Sequence, residues 1–278
     1  MCTKYKTVAK KVKPVATQLP ADTDKHIKKA EKEPSLREGR KVGHKFTKET
    51  LANLKIGGNN FLTEPEKKKF QDMLFKHGKA FASSPEEIGC VQPSVVAPMV
   101  IFTVPHIPWD LKPIPMSRAL LPKLVELLKE KERMGILEPS MAPYSNRWFT
   151  VPKKSGALRF IQDMQPANKV TIRNKGSGPI VDEVAEAFAG HAIYSIGDLY
   201  SGYDQFQLAA ESRDLTTMKA PLGLVRMCTL PQGATNLVAH MQSAMNEILR
   251  DFVPHKTIPF VDDIPIKGCE EKTRDLTV

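Results

Sequence analysis

From Thr63 onward, apolar residues recur at spacings that predict a mixed succession of helices and strands. Thr63 and Glu66 form a capping-box pattern, and Phe70, Met73, Leu74 and His77 follow at helical spacing before Gly78. Ser117 opens a second helix that carries Leu120, Leu121, Leu124, Leu127 and Leu128 and closes at Met134-Gly135. A leucine stripe of that kind predicts core packing, not ligand binding. Residues 148–161 then read as two strands joined through Ser155-Gly156. Ile180, Val184, Ala187 and Phe188 mark a third helix ended by Gly190, followed by a strand over 191–196 with Asp198 just past its end. Residues 217–220 and 224–230 predict a hairpin through Pro221-Leu222-Gly223. A helix over 234–252 carries Leu237, Met241, Met245, Ile248 and Phe252 on one face. It leads into residues 257–268, two short apolar strands with Asp262 and Asp263 at the bend between them. This mixture predicts an α+β fold, with helices packed on one face of a largely antiparallel sheet.

The first 60 residues break the pattern. They are rich in Lys, Pro and Glu, have no sustained hydrophobic period and end in Gly57-Gly58-Asn59-Asn60, which predicts a disordered basic tail and linker. Residues 61–105 then read as a connector with one short helix, and residues 106–278 as the main domain. The net charge of +10 is mostly a property of the tail, since residues 1–50 hold 14 Lys and Arg against 6 Asp and Glu. Such a tail either grips phosphates non-specifically or stays merely solvated. No secretory signal opens the chain and no apolar run reaches the roughly 18 residues of a membrane span, so an intracellular protein, cytoplasmic or nuclear, is expected. Cys2, Cys90, Cys228 and Cys269 lie far apart, which predicts reduced thiols and neither a zinc site nor a disulfide framework.

The candidate chemistry lies in the carboxylates. An Asp-Asp pair between strands is most often a plain turn, because Asp bonds locally to backbone. Two carboxylates held side by side by a rigid hairpin also make half of a divalent-metal site, because bound cations remove their repulsion. If the strand ending at Asp198 lies beside the hairpin, Asp198, Asp262 and Asp263 converge on one spot. Three such carboxylates suit phosphoryl transfer with two ions about 4 Å apart. Lys153, Lys154 and Arg159 cluster near the tip of the 148–161 hairpin, as either a solvated turn or a polyphosphate clamp. His77 has no second ligand at helical spacing and reads as a face residue.

Taken in order, these segments resemble reverse transcriptases. Asp198-Leu199-Tyr200-Ser201-Gly202-Tyr203 is similar to their first catalytic motif, and residues 230–236, Leu-Pro-Gln-Gly-Ala-Thr-Asn, to their template and nucleotide motif. Phe260-Val261-Asp262-Asp263 resembles the aromatic-x-Asp-Asp turn of that family, and residues 151–163 its fingers hairpin. The resemblance runs from about residue 107 to 268 and is strongest to polyproteins of gypsy-type long-terminal-repeat retrotransposons.

It implies the fingers and palm of a right-hand polymerase acting as an RNA-directed DNA polymerase. Asp198, Asp262 and Asp263 would be catalytic, ligating two Mg2+ ions, for which Mn2+ could substitute, with the Leu199 carbonyl completing the set. Tyr203 would be a steric gate under the deoxyribose, and Gln232 would pack on that sugar. Arg159 and one of Lys153 and Lys154 would hold the triphosphate. The implied partners are a primed RNA or DNA template and deoxynucleoside triphosphates, with no membrane. Two departures stand out: Met164-Gln165 follows Asp163 where Tyr-Arg is usual, and Gly233-Ala234 replaces a commoner aromatic or Met form after Gln232. The motifs that would mark a thumb or a ribonuclease H domain are not recognised, so a truncated polymerase is expected. A non-catalytic nucleic-acid-binding or inert remnant is the alternative.

Overall fold

Among the described residues of the computed structural model, strand pairing is antiparallel between every pair of adjacent strands, but the strands form three small sheets where one was expected. The structure describes residues 13, 15–37, 46–58, 62–82, 84–154, 156–174, 176 and 178–268. Asn59, Asn60, Ser155, Cys2 and Cys269, named above, lie outside them, as do residues 1–12 of the predicted tail. The chain divides into two units, one of residues 38–89 and one of residues 1–37 with 90–278.

The division moves both predicted boundaries. Residues 15–37 are not a linker but part of the larger unit, where helix α1 (Thr23–Ala30) forms. Composition hid this because the attachment is polar. His26 bonds Glu211 at 2.7 Å, Glu33 accepts from the Ala210 N–H at 3.0 Å, and Val15 donates its N–H to the Thr171 carbonyl at 2.8 Å. Residues 90–105 likewise belong to this unit, with Met99 and Ile101 buried in its core.

In the smaller unit, α2 (Lys48–Ala52) begins at a reciprocal Thr47–Thr50 cap, and α3 (Glu64–Lys76) begins where the Thr63 N–H donates to Glu66 at 2.7 Å. That cap was legible in the sequence. The packing was not: Phe70 and Met73 stay exposed, and α3 buries none of its residues.

The larger unit has two apolar cores. The first lies under α4 (Leu121–Arg133), whose Leu124 and Leu128 pack with Ile136, Leu137, Trp148, Met218, Val225 and Met227. Leu120 and Leu121, one turn earlier, remain exposed. Gly135, with φ of +66°, ends the helix and turns the chain into β1 (Leu137–Pro139). Next come β2 (Trp148–Pro152) and β3 (Leu158–Gln162), paired as a hairpin with Val151 opposite Arg159. After α5 (Gln165–Val170) and α6 (Val181–Phe188), β4 spans Tyr194–Asp198. The apolar positions of α6 are not buried, with Ile180 58% and Val181 66% exposed, so its helical period did not translate into core. β5 (Met218–Ala220) and β6 (Gly223–Met227) form the predicted hairpin, and β1 adds to its other edge.

The second core gathers Met99, Ile101, Phe206, Leu208, Leu215 and Leu230 around α7 (Leu237–Ile248). Each fully buried aliphatic side chain of this kind contributes about 1.5–3 kcal/mol relative to exposure. α7 begins three residues later than periodicity predicted. Asn236 has φ of +68°, outside the helical region, held there as its amide donates to the Ile172 carbonyl and accepts from the Asn174 N–H. It also ends earlier, leaving Ile248 and Phe252 exposed. β7 (Asp263–Lys267) then pairs with β4. The preceding arm, residues 257–260, is reduced to isolated bridges at Thr257 and Phe260, because Pro259 has no N–H to give a ladder. Among the described residues, no helix is long and apolar enough to cross a membrane.

Candidate active site

The β4–β7 ribbon brings residues 65 or more positions apart into register, with Asp198 directly opposite Asp263 and Gly197 opposite Ile264. A two-stranded ribbon is marginal alone, so its position depends on what it packs against. Here Leu199, Val261 and Ile264 lie against the core around α7.

The turn itself is tight. Phe260 and Asp263 exchange both backbone hydrogen bonds, at 2.9 and 3.1 Å, and leave Val261-Asp262 as a two-residue loop. Val261 takes φ of +60°, a left-handed conformation that costs a β-branched residue about 1–3 kcal/mol. The Asp262 carbonyl accepts from the Leu199 N–H at 3.1 Å, which ties the loop to the end of β4. Asp198 thus ends the strand instead of lying past it, and Asp198, Asp262 and Asp263 share one end of the ribbon.

Close packing surrounds them. Gly202 is buried, and a Cβ there would lie 2.9 Å from Met241 Cε, 3.2 Å from Leu199 Cβ and 3.3 Å from Asp262 Cβ. Tyr203 follows on a short 3-10 turn and packs on the same core. Burial raises its hydroxyl pKa above the usual phenol value, and the negative charge of Asp262 adds to the rise. Asp204 is pinned from three sides, by Ser201 Oγ at 3.0 Å, Thr229 Oγ1 at 3.3 Å and Lys131 Nζ of α4 at 3.7 Å. The Tyr203 backbone is therefore fixed immediately after its side chain.

The donor chemistry suits a hard divalent cation: three carboxylates, none of them ion-paired among the described residues. Among the described residues, no three acidic, histidine or cysteine side chains are gathered closely enough to hold a metal. The Leu199 carbonyl already accepts from the Gly202 N–H at 3.2 Å, so only its second lone pair is free for a cation.

The other expected residues lie elsewhere. Lys153, Lys154 and Arg159 stand exposed on the β2–β3 hairpin, where Lys153 and Ala157 close the loop through a 2.7 Å backbone bond. Gln232 is exposed on the loop before α7. No hydrogen bond or ion pair among the described residues links these four to the aspartates.

Sequence reasoning missed the residues that hold the loops. The Asn168 amide donates to the Gly233 carbonyl at 2.9 Å and accepts from the Thr235 N–H at 2.7 Å, which brackets the loop after Gln232. Gln242 bonds the aspartate turn from beneath. One signal for it was available: a Gln beside the Leu237, Met241 and Met245 stripe is a polar residue on the buried face of an amphipathic helix.

Solved structures share this fold. A foamy viral protease-reverse transcriptase in complex with an RNA/DNA hybrid superposes with a TM-score of 0.68 at 18% identity, covering 81% of this chain and 29% of that one. A second, in complex with double-stranded DNA, gives 0.69 at 18% identity over 84% and 40%. The fold is that of reverse transcriptase fingers and palm, and residues 151–276 match the family described as reverse transcriptase (RNA-dependent DNA polymerase). The Pol polyprotein of transposon gypsy from Drosophila melanogaster is 26% identical over 206 residues, covering 72% of this chain, and that of transposon 412 is 29% identical over 153 residues, covering 53%. Over these segments the chain is similar to the reverse transcriptases of gypsy-type long-terminal-repeat retrotransposon polyproteins. It spans about a fifth of the gypsy polyprotein's length and 12% of the 412 polyprotein's.

Proposed function

We propose that this domain transfers deoxynucleotides to the 3′-hydroxyl of a primer paired with an RNA or DNA template. The observation that carries the reading is the β4–β7 register, which sets Asp198 opposite Asp263 with Asp262 in the adjoining turn. Three carboxylates at one end of a packed ribbon, with no ion-pair partner among the described residues, are an electrostatic cost unless cations come to them. Asp198, Asp262 and Asp263 would hold two Mg2+ ions, with the Leu199 carbonyl as a further ligand; Mn2+ has the same preference for oxygen donors. Bound there, the ions would supply Lewis-acid stabilisation of charge on the reacting phosphate and lower the pKa of the attacking hydroxyl.

The chain's own residues supply the rest. The primer oxygen attacks the α-phosphate, the bond to the β-phosphate oxygen breaks, and pyrophosphate leaves. Arg159, with Lys153 or Lys154, would neutralise the triphosphate and orient it for in-line attack. Tyr203, half-buried and held by its Asp204 neighbour, would present its ring edge to the sugar and exclude a 2′-hydroxyl. Gln232 would pack on the other side of that sugar. Such a polymerase works where its templates and triphosphates are, in the cytoplasm or nucleus.

One other reading, supported by fold neighbours solved in complex with an RNA/DNA hybrid and with double-stranded DNA, is a domain that binds nucleic acid without catalysis. Incorporation on an RNA template with an annealed DNA primer and Mg2+ separates the two. Extension by the parent and none by Asp262→Asn/Asp263→Asn supports the polymerase; primer-template binding without extension by either supports the second reading.

A further inference from the structure

Two of the backbone groups that the aspartate turn leaves outside its own hydrogen bonding point to α7. The Phe260–Asp263 exchange uses neither the Val261 N–H nor the Pro259 carbonyl, and both face α7. Unpaired, each would be a buried polar cost. The side-chain amide of Gln242 meets both at once. Its Oε1 accepts from the Val261 N–H at 3.0 Å, and its Nε2 donates to the Pro259 carbonyl at 2.7 Å and to Asn246 Oδ1 at 3.2 Å. Gln242 is 3% exposed, and its neighbour Met241 is fully buried in the core against which Val261 packs.

A residue that both accepts and donates across a bend holds two points of the chain at a set distance. Here the two points flank Phe260, and the second is Val261, the residue in the left-handed conformation. A strained backbone of this kind persists only where its surroundings over-determine it. The Leu199 bond restrains the Asp262 side of the loop, and Gln242 restrains the Val261 side.

We propose that Gln242 is a positioning residue for the Asp262-Asp263 pair: its amide holds the Val261 turn, and the turn aims the carboxylates toward Asp198. The proposal rests on the reading of these aspartates as the polymerase centre. Gln242 touches no substrate in it and acts only through the turn.

Two near-isosteric variants test it. Gln242→Met removes both bonds, and Gln242→Glu keeps the size and the acceptor but replaces the donor to Pro259 with a second oxygen. Single-turnover primer extension is expected to slow at least tenfold in both, with the KM for the nucleotide within twofold of the parent. A role in folding alone would not produce that split. Amide hydrogen exchange gives a readout without catalysis: the Val261 amide should exchange at least tenfold faster in Gln242→Met, while Met241 and Met245 in the body of α7 stay as protected as in the parent. Unchanged exchange at Val261 overturns the clamp. Faster exchange with an unchanged extension rate overturns the positioning role. A parent that does not extend primers overturns the polymerase reading and this inference with it, whereas an active parent with equally active variants overturns this inference alone.

Discussion

Gly202→Ala tests how tightly the two aspartate-bearing segments are packed. The Gly202 backbone is in an ordinary region, so alanine meets no conformational penalty and gains about 0.4–1 kcal/mol by restricting the unfolded chain. Against this stands its new methyl, 2.9 Å from Met241 Cε, 3.2 Å from Leu199 Cβ and 3.3 Å from Asp262 Cβ, where ordinary contacts begin near 3.4 Å. Met241 Cε is the far end of a flexible side chain, but Met241 is fully buried, so any shift of it has to be taken up within the core. Leu199 and Asp262 are joined by the backbone bond between β4 and the aspartate turn, so moving either separates the carboxylates. Overpacking of one methyl costs about 1–3 kcal/mol, which set against that gain leaves a net loss centred on about 1 kcal/mol and no larger than about 2.6 kcal/mol. Urea unfolding should report that loss. Primer extension should fall further than stability accounts for, by tenfold or more with most of the protein still folded, because the strain falls on the loop that aims Asp262. A variant as stable and as active as the parent would refute the packing argument.

Asn168→Ala removes one acceptor and one donor from the loop after Gln232, and should cost about 1–3 kcal/mol in urea unfolding and raise the KM for the incoming nucleotide more than it lowers the maximal rate. Met241→Ala should destabilise by about 2–5 kcal/mol, because the side chain is wholly buried among Leu237, Ala244 and Met245, and thermal unfolding measures this. Burial, the largest influence, pushes the Cys228 thiol up to about 12, so with Cys2 and Cys269 replaced by Ser, iodoacetamide at pH 8 should label Cys90 and spare Cys228 until the protein is unfolded. Hydrogen bonds to Glu211 and then to Asp22 raise the pKa of His26 above its ordinary 6.5. The attachment of α1 that it provides is therefore complete below about pH 6.5 and is lost as pH rises through the raised value; amide exchange over residues 23–30 should quicken across that interval and show no such step in His26→Gln.

The parts of the fold that could be read from the sequence are those where one local rule acted alone. The Thr63–Glu66 cap, the Gly135 helix end and the β5–β6 hairpin depend on a few adjacent residues, and each forms where the pattern puts it. Elements whose period was right but whose partner lay elsewhere were read less well. α3 and α6 have the spacing of amphipathic helices, yet neither buries a residue, because periodicity reports a face and not what covers it. Residues 15–37 failed in the opposite sense: with no period to read, they attach through His26, Glu33 and a backbone bridge at Val15, and polar attachments leave no hydrophobic signature.

The candidate site divides along the same line. Asp198, Asp262, Asp263 and Tyr203 were visible because their chemistry sits in short motifs, and the β4–β7 register needed only that two apolar strands pair. The residues that aim them could not be found in that way. Gln242 and Asn168 act by bonding backbone groups 17 to 67 positions away, and those partners are left over only once the turns have formed. The Val261 turn is the clearest case. Its left-handed residue is not a glycine, so nothing in Phe260-Val261-Asp262-Asp263 announces the conformation. The strain can be borne because α7 places an amide beneath it, and α7 is placed in turn by a core reaching back to Met99. A loop stabilised in this way depends on its support more than on its own sequence. Substitutions on the buried face of α7 should therefore change the geometry of the aspartates before they unfold the domain.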